Sequence, residues 1–513
     1  MKISAPPWAC MAAAALLATL HLNLAWAHDG DRDDDHDNHG RGNSAGDFNL
    51  RPFLDSTGAI ATFNAAGHTN LKGAFFQPLG INGRSCATCH QVGQAMSISP
   101  PQIRELFAQT RGKDPLFAPV DGANCANAKT GDARGHSLLL SHGLIKVALP
   151  IPAAAQFSVS VVHDPYGCAL TKDPTTGQTM VAQYRRPLPT TNLRYLSTMM
   201  FDGRESPATS PLNSQATFPQ NLETDLKHQA QSAITTHFQA PGTATAAQIE
   251  DIYEFELGLS TAQVFDWSAG RLDRDGALGG TLNLLNVEYL PGINDVLGAD
   301  PNHVSFDQNS MTLFAAWADA SSRGYGERER DAARRDIAAG EVLFNTAPLT
   351  VSAVRGLNDN PALGPSFKGT CTTCHDTPNV GDHSLPLPLD IGIAHATQAG
   401  LEVDPNIKKG IAELDEPDLP VYFVSGCTAQ PFGAGQPVSF YTTDLGKGLV
   451  TGLCSDLTRV KGPILRGLAA RAPYFHNGAA ASLLQAVNFY NQRFAMNLTA
   501  EQKRQLVAFL NSL

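Results

Sequence analysis

Two Cys-x-x-Cys-His pentapeptides, Cys86-Ala87-Thr88-Cys89-His90 and Cys371-Thr372-Thr373-Cys374-His375, carry the most specific chemistry in this chain. At this spacing two thiols add to the two vinyl groups of one haem, and the adjoining histidine is drawn under the iron as its proximal ligand. A bare Cys-x-x-Cys can also be a redox dithiol or half of a zinc site. The trailing histidine, present in both copies, favours haem, and no partner Cys-x-x-Cys stands close by to complete a four-ligand zinc cluster. The expectation is two covalent haem c groups, attached at Cys86 and Cys89 and at Cys371 and Cys374, with His90 and His375 on the irons.

Haem c is attached outside the cytoplasm, and the N-terminus agrees with export. Met1-Lys2 is a short basic start, residues 9–20 are an apolar run, and Ala25-Trp26-Ala27 is a small-x-small cleavage pattern. Residues 1–27 therefore read as a signal peptide and the mature chain as periplasmic. Lipidation at Cys10 is the alternative, in the poor context of Pro7-Trp8-Ala9. No later segment offers the ~20 apolar residues of a membrane span, so no membrane partner is expected.

The 513 residues, 42% hydrophobic, are enough for two cores. A net charge of −11 argues against nucleic acid and favours a small basic electron-donor protein as partner. Of nine cysteines, one is in the leader and four are in the haem motifs. The other four fall as one pair after each motif, in an oxidising compartment, which predicts Cys125–Cys168 and Cys427–Cys454 disulfides; four buried free thiols are the alternative.

The elements that must position this chemistry read mainly as helix and loop. Residues 28–49 open with an Asp/His-rich run that has almost no apolar side chains and read as a disordered tail. Two related halves follow, 50–325 and 326–513. Leu193-Arg194-Tyr195-Leu196-Ser197 and Leu465-Arg466-Gly467-Leu468-Ala469 sit at similar distances after the two haem motifs, each leading to an aromatic cluster and a glycine, as in an internal duplication. A seam is expected near 321–326, followed by a charged helix over 327–335 that leads into a further helical stretch at 338–344. Capping boxes at Ser482 and Thr499 open two C-terminal helices. The 33 prolines and 45 glycines imply long loops; few segments alternate cleanly, and residues 156–162 are a candidate strand.

Phe201-Asp202-Gly203-Arg204-Glu205 and Ala472-Pro473-Tyr474-Phe475-His476-Asn477-Gly478 running into Phe489-Tyr490-Asn491, together with the haem motifs, resemble the bacterial dihaem cytochrome c peroxidases and the related MauG enzymes. The resemblance covers most of residues 50–513. It implies a mainly α fold of two cytochrome-c-like haem domains with long loops, one peroxidatic and one for electron transfer. It also implies a peroxidase reducing hydrogen peroxide through high-valent iron shared between the haems.

That resemblance assigns further residues. It puts Tyr490, as in the MauG branch, on the iron of the His375 haem, with Met496 as the alternative; an anionic phenolate would stabilise oxidised iron, a thioether reduced iron. It leaves the His90 haem open on its distal side, with His163 as the runner-up ligand. Gln229 matches the glutamine that positions peroxide, and His237 replaces the glutamate that moves its proton, unless it is a plain surface histidine. Phe201 stands where the family has an inter-haem tryptophan. Arg186 takes the place of an asparagine that holds calcium together with the carbonyls of Arg471 and Pro473, which disfavours a bound cation. Arg194 and Arg466 either pair with haem propionates or form an interdomain salt bridge. Two other functions stay open: oxidation of a partner protein's side chains, as MauG performs, and electron transfer without catalysis. The electron donor for a peroxidase would be a small cytochrome c or cupredoxin.

Overall fold

In the computed structural model the described residues are 47–206, 218–287, 292–297, 305–321, 327–375, 387–394, 405–428 and 438–513. The stretch 1–27 read as a signal peptide, nearly all of the Asp/His-rich tail and most of the expected seam at 321–326 lie outside them.

The C-terminal helices form where their caps predict. Thr499 and Gln502 complete a reciprocal capping box on the helix Ala500–Asn511. The Ser482 side chain accepts the Gln485 N–H at the start of the helix Leu483–Arg493. The charged run and the stretch after it are one helix, Glu327–Thr346. It packs closely on Ala500–Asn511 because Gly340 leaves room: a Cβ there would lie 2.0 Å from the Gln505 carbonyl oxygen. Phe344, Leu483, Val487, Leu506 and Phe509 meet Leu272, Met311, Phe314 and Trp317 in one buried core that crosses the expected seam.

The expectation of a mainly α chain is overturned: 33% of it is helix and 17% strand. Strands β1 (Phe53–Leu54), β2 (Gly58–Asn64), β7 (Leu259–Asp266) and β8 (Gly270–Arg271) form one antiparallel sheet in that order. A second sheet orders β3 (Ile145–Pro150), β6 (Thr179–Arg185) and β5 (Leu170–Lys172), and a third orders β12 (Val438–Thr442), β11 (Val421–Cys427) and β4 (Ser158–His163). A hairpin pairs β9 (Leu349–Ser352) with β10 (Ser366–Gly369). The third sheet joins the halves, with Val424 opposite Val159. Strand β4 matches the candidate strand at 156–162. Among the others, β1 and β8 are too short, and β2 and β7 too buried on both faces, to alternate in sequence.

Phe157, Val181, Tyr422, Phe440 and Leu457 pack a core around the third sheet. Burying each large side chain contributes roughly 1.5–3 kcal/mol. The two expected disulfides are formed, Cys125–Cys168 and Cys427–Cys454, with Cα–Cα separations of 6.0 and 5.7 Å. Residues 46–513 form one compact unit. No helix among the described residues is long and apolar enough to cross a membrane.

Candidate functional site

Both Cys-x-x-Cys-His motifs adopt the same local structure. Cys86–Thr88 and Cys371–Thr373 are single 3₁₀ turns, each closed by a capping box, Ser85 with Thr88 and Thr370 with Thr373. The four motif cysteines are unbridged, whereas the other four described cysteines are disulfide-bonded. Burial pushes the thiols of Cys89, Cys371 and Cys374 up to about 12. A redox dithiol requires the opposite shift. Among the described residues no group of three or more His, Cys, Asp or Glu is assembled to hold a metal ion.

Each motif stands on the wall of its own cavity. Cys86, Cys89 and His90 line one of about 140 Å³, and Cys371, Cys374 and His375 line another of about 210 Å³. The residues present fit haem c. His90 donates Nδ1–H to the Met96 carbonyl oxygen at 3.1 Å, which leaves Nε2 as the unprotonated nitrogen that an iron needs. Burial holds this imidazole neutral, its pKa lowered to about 4. The second cavity has apolar walls such as Phe344, Val351, Ile391 and Phe494, which suit a macrocycle face.

Tyr490 lines the second cavity together with Leu483, Ala486 and Val487 of the same helix. Burial pushes its phenol well above the usual range. Met496 lines the same cavity, so both candidate ligands are brought to the His375 site.

The first cavity gathers polar groups. Gln229 and His237 both line it, on and just after the helix Phe218–Thr236. His237 hydrogen-bonds through Nδ1 to the buried carboxylate of Asp121, which also holds Arg84. His163 lies in neither lining; its Nε2 pairs with Asp418 at 2.7 Å.

Arg194 and Arg466 also stand outside both linings. Arg194 donates Nη2–H to Ser260 at 2.8 Å and lies over the Tyr195 ring. Arg466 is 1% exposed, and burial pulls its pKa down to about 10. The cations that do line the cavities are Arg84, Arg185, Arg186, Arg204 and Lys461 around the first, and Arg186, Lys461 and Arg471 around the second. Arg186, Pro187, Leu188, Pro189, Phe201 and Lys461 are common to both and form a shared wall. Phe201 meets His476 edge-on at 6.0 Å. Near it, Arg185 joins Asp202 of one half to Asp444 of the other, the latter through two hydrogen bonds of 2.7 and 2.8 Å. The Arg471 carbonyl, assigned by resemblance to a cation, accepts a hydrogen bond from the Arg186 guanidinium.

Two buried carboxyl groups escaped the sequence reading. Glu256 lines the first cavity at 3% exposure; its Oε2 has no hydrogen-bond partner, and burial pushes its pKa up to about 8. Asp225, one helical turn before Gln229, is buried outside the lining, with a pKa pushed up to about 6 by burial. An acidic residue on an apolar helical face is the signal for such a group, visible at Glu256, four and seven positions after Ile252 and Ile249.

No family model matches the chain. Parts of it are similar to two bacterial peroxidases. Cytochrome-c peroxidase IdrP2 of Denitromonas iodatirespirans is 30% identical over 154 residues, 28% of this chain and 36% of that protein. Cytochrome c551 peroxidase of Nitrosomonas europaea is 35% identical over 92 residues, 18% of this chain and 27% of that protein. The chain thus spans about a third of the length of these curated relatives.

Proposed function

We propose that this chain is a periplasmic dihaem c-type peroxidase that reduces hydrogen peroxide in the His90 cavity, with the His375 cavity as its electron reservoir. The observation that carries this reading is the asymmetry of two cavities built on the same motif. The first is lined by His237, Asp121, Glu256 and Gln229, whereas no carboxylate lines the second among the described residues. The two similar proteins, both named cytochrome c peroxidases, support the same reaction class.

Haem c, when bound, supplies the redox-active iron that exchanges electrons with peroxide. The reduction consumes two electrons and two protons for each peroxide and releases two waters. Gln229 offers an amide to hydrogen-bond and orient peroxide in the first cavity. His237 moves the proton: Asp121 holds Nδ1–H, so Nε2 is the nitrogen that takes a proton from one peroxide oxygen and returns it to the other. The Met96 carbonyl fixes the His90 ring in the ligating tautomer. Tyr490 is assigned to the second iron. The electrons come from a small basic donor protein, attracted by the net charge of −11.

Rapid mixing of the diferric protein with one equivalent of peroxide tests this reading. Prompt changes in the absorbance of both haems, with peroxide consumed, are expected. Unchanged spectra with peroxide left intact would reduce the protein to an electron-transfer cytochrome.

A further inference from the structure

The wall between the two cavities carries two cationic side chains, Arg186 and Lys461. Arg186 is 6% exposed, and backbone carbonyls surround its guanidinium. Nη1 donates to the His142 and Gly143 oxygens at 3.3 and 3.2 Å, and Nη2 to those of Ile98 and Arg471 at 2.6 and 3.2 Å. A guanidinium has five N–H groups, and the one on Nε goes to none of these oxygens. Three of the carbonyls belong to the first half of the chain and one to the second. The cradle depends on a missing side chain: Gly143 has φ +64°, and a Cβ there would lie 1.8 Å from Nη1.

Arg471, 8% exposed, is held in the same manner. Its Nη2 donates to the Ile464 and Arg466 oxygens at 2.5 and 3.0 Å, and its Nε to the Gly467 oxygen at 3.3 Å. Among the described residues neither arginine forms an ion pair; the charged neighbour that bears on Arg186 is Arg471 itself. Carbonyl dipoles offset only part of the cost of burying a cation, so the fold calls for anions at this place. Each haem c would bring two propionate carboxylates into these cavities.

We propose that Arg186 is the fixed counter-charge for the propionates of both haems, a cation of the chain's own placed where the two cavities meet, and that Arg471 serves the second haem alone. The assignment follows from the linings: Arg186 borders both cavities, Arg471 only that of His375. It rests on the dihaem reading above. A cation beside a haem eases the addition of an electron, so Arg186 raises both reduction potentials together. Because its charge is covalently held, this tuning survives the removal of divalent ions.

The test is spectroelectrochemical titration of the mature holoprotein in EDTA, for wild type, Arg186→Gln, Arg471→Gln and, as control, Arg104→Gln at an exposed site. Covalent haem is counted in each, and the double variant Cys371→Ser/Cys374→Ser identifies the His90 haem. Arg186→Gln should lower both midpoint potentials, Arg471→Gln only that of the His375 haem, and Arg104→Gln neither. With two haems present, an Arg186→Gln protein in which one potential or neither falls overturns the proposal. If Arg186→Gln does not accumulate, Arg471→Gln decides: a fall confined to the His375 haem supports the proposal, and equal shifts or none refute it. Fewer than two covalent haems in the wild type would instead refute the dihaem reading.

Discussion

His237 hydrogen-bonds through Nδ1 to the carboxylate of Asp121, 116 positions earlier in the chain. Burial would raise the pKa of Asp121, but His237 and then Arg84 hold it below the usual carboxylate range. The carboxylate is therefore anionic at neutral pH and accepts the hydrogen bond from the Nδ1–H of His237. Replacing His237 with Ala should slow peroxide reduction by ~10²–10⁴-fold, the usual worth of a positioned acid–base group. Asp121→Asn should slow it less and displace its pH profile. Full activity in His237→Ala would remove this residue from the mechanism.

The His90 site predicts a clean separation of roles. Mature protein should carry two covalent haems, and Cys371→Ser with Cys374→Ser should leave one. His90→Gly should abolish peroxide turnover while the spectrum of the other haem persists. Turnover that survives this change would reverse the assignment of the two sites.

Tyr490 and Met496 line one cavity, and their substitutions discriminate between them. With the phenolate on the second iron, Tyr490→Phe should change the diferric spectrum and raise the reduction potential, because an anionic donor offsets the charge of oxidised iron. Met496→Ala should do neither. The opposite pattern would make methionine the ligand and the second haem an electron-entry port.

Glu256 links stability to pH. In the folded chain burial pushes its pKa to about 8, against an ordinary value of 4.5. Between those values the folded state holds a proton that the unfolded state releases. Its contribution to stability is therefore complete below pH 4.5 and declines as pH rises through about 8, by up to ~1.4 kcal/mol per unit. Glu256→Gln stays neutral throughout, so its Tm between pH 5 and 8 should fall less steeply than that of the wild type. Parallel profiles would show that Glu256 is ionised when folded.

The Cys427–Cys454 disulfide spans 27 positions and fastens strand β11 to the segment after β12. Replacing both residues with serine should cost ~2–4 kcal/mol of stability in denaturant titrations. A change within measurement error would mean that the core around Tyr422 and Phe440 holds this sheet without it.

The amino-acid sequence determined what depends on residue type at short range. The Cys-x-x-Cys-His pattern is local, so both motifs were legible, as were the caps at Ser482 and Thr499. Pairing one cysteine with the next after each motif was also correct, since each loop closes within its own half. Tertiary structure alone decided the rest, because it rests on partners far apart in the chain. Strand β11 is recognised by its pairing with β4 across the two halves, so a reading from local periodicity missed most of the sheets and gave a mainly α fold. Arg194 and Arg466 stood out by their repeated motif, yet both lie outside the cavity linings. Arg186 borders both cavities, and four backbone carbonyls surround it. Every residue has a backbone carbonyl, so such a cage leaves no trace in residue identity and exists only once the chain has folded around the charge.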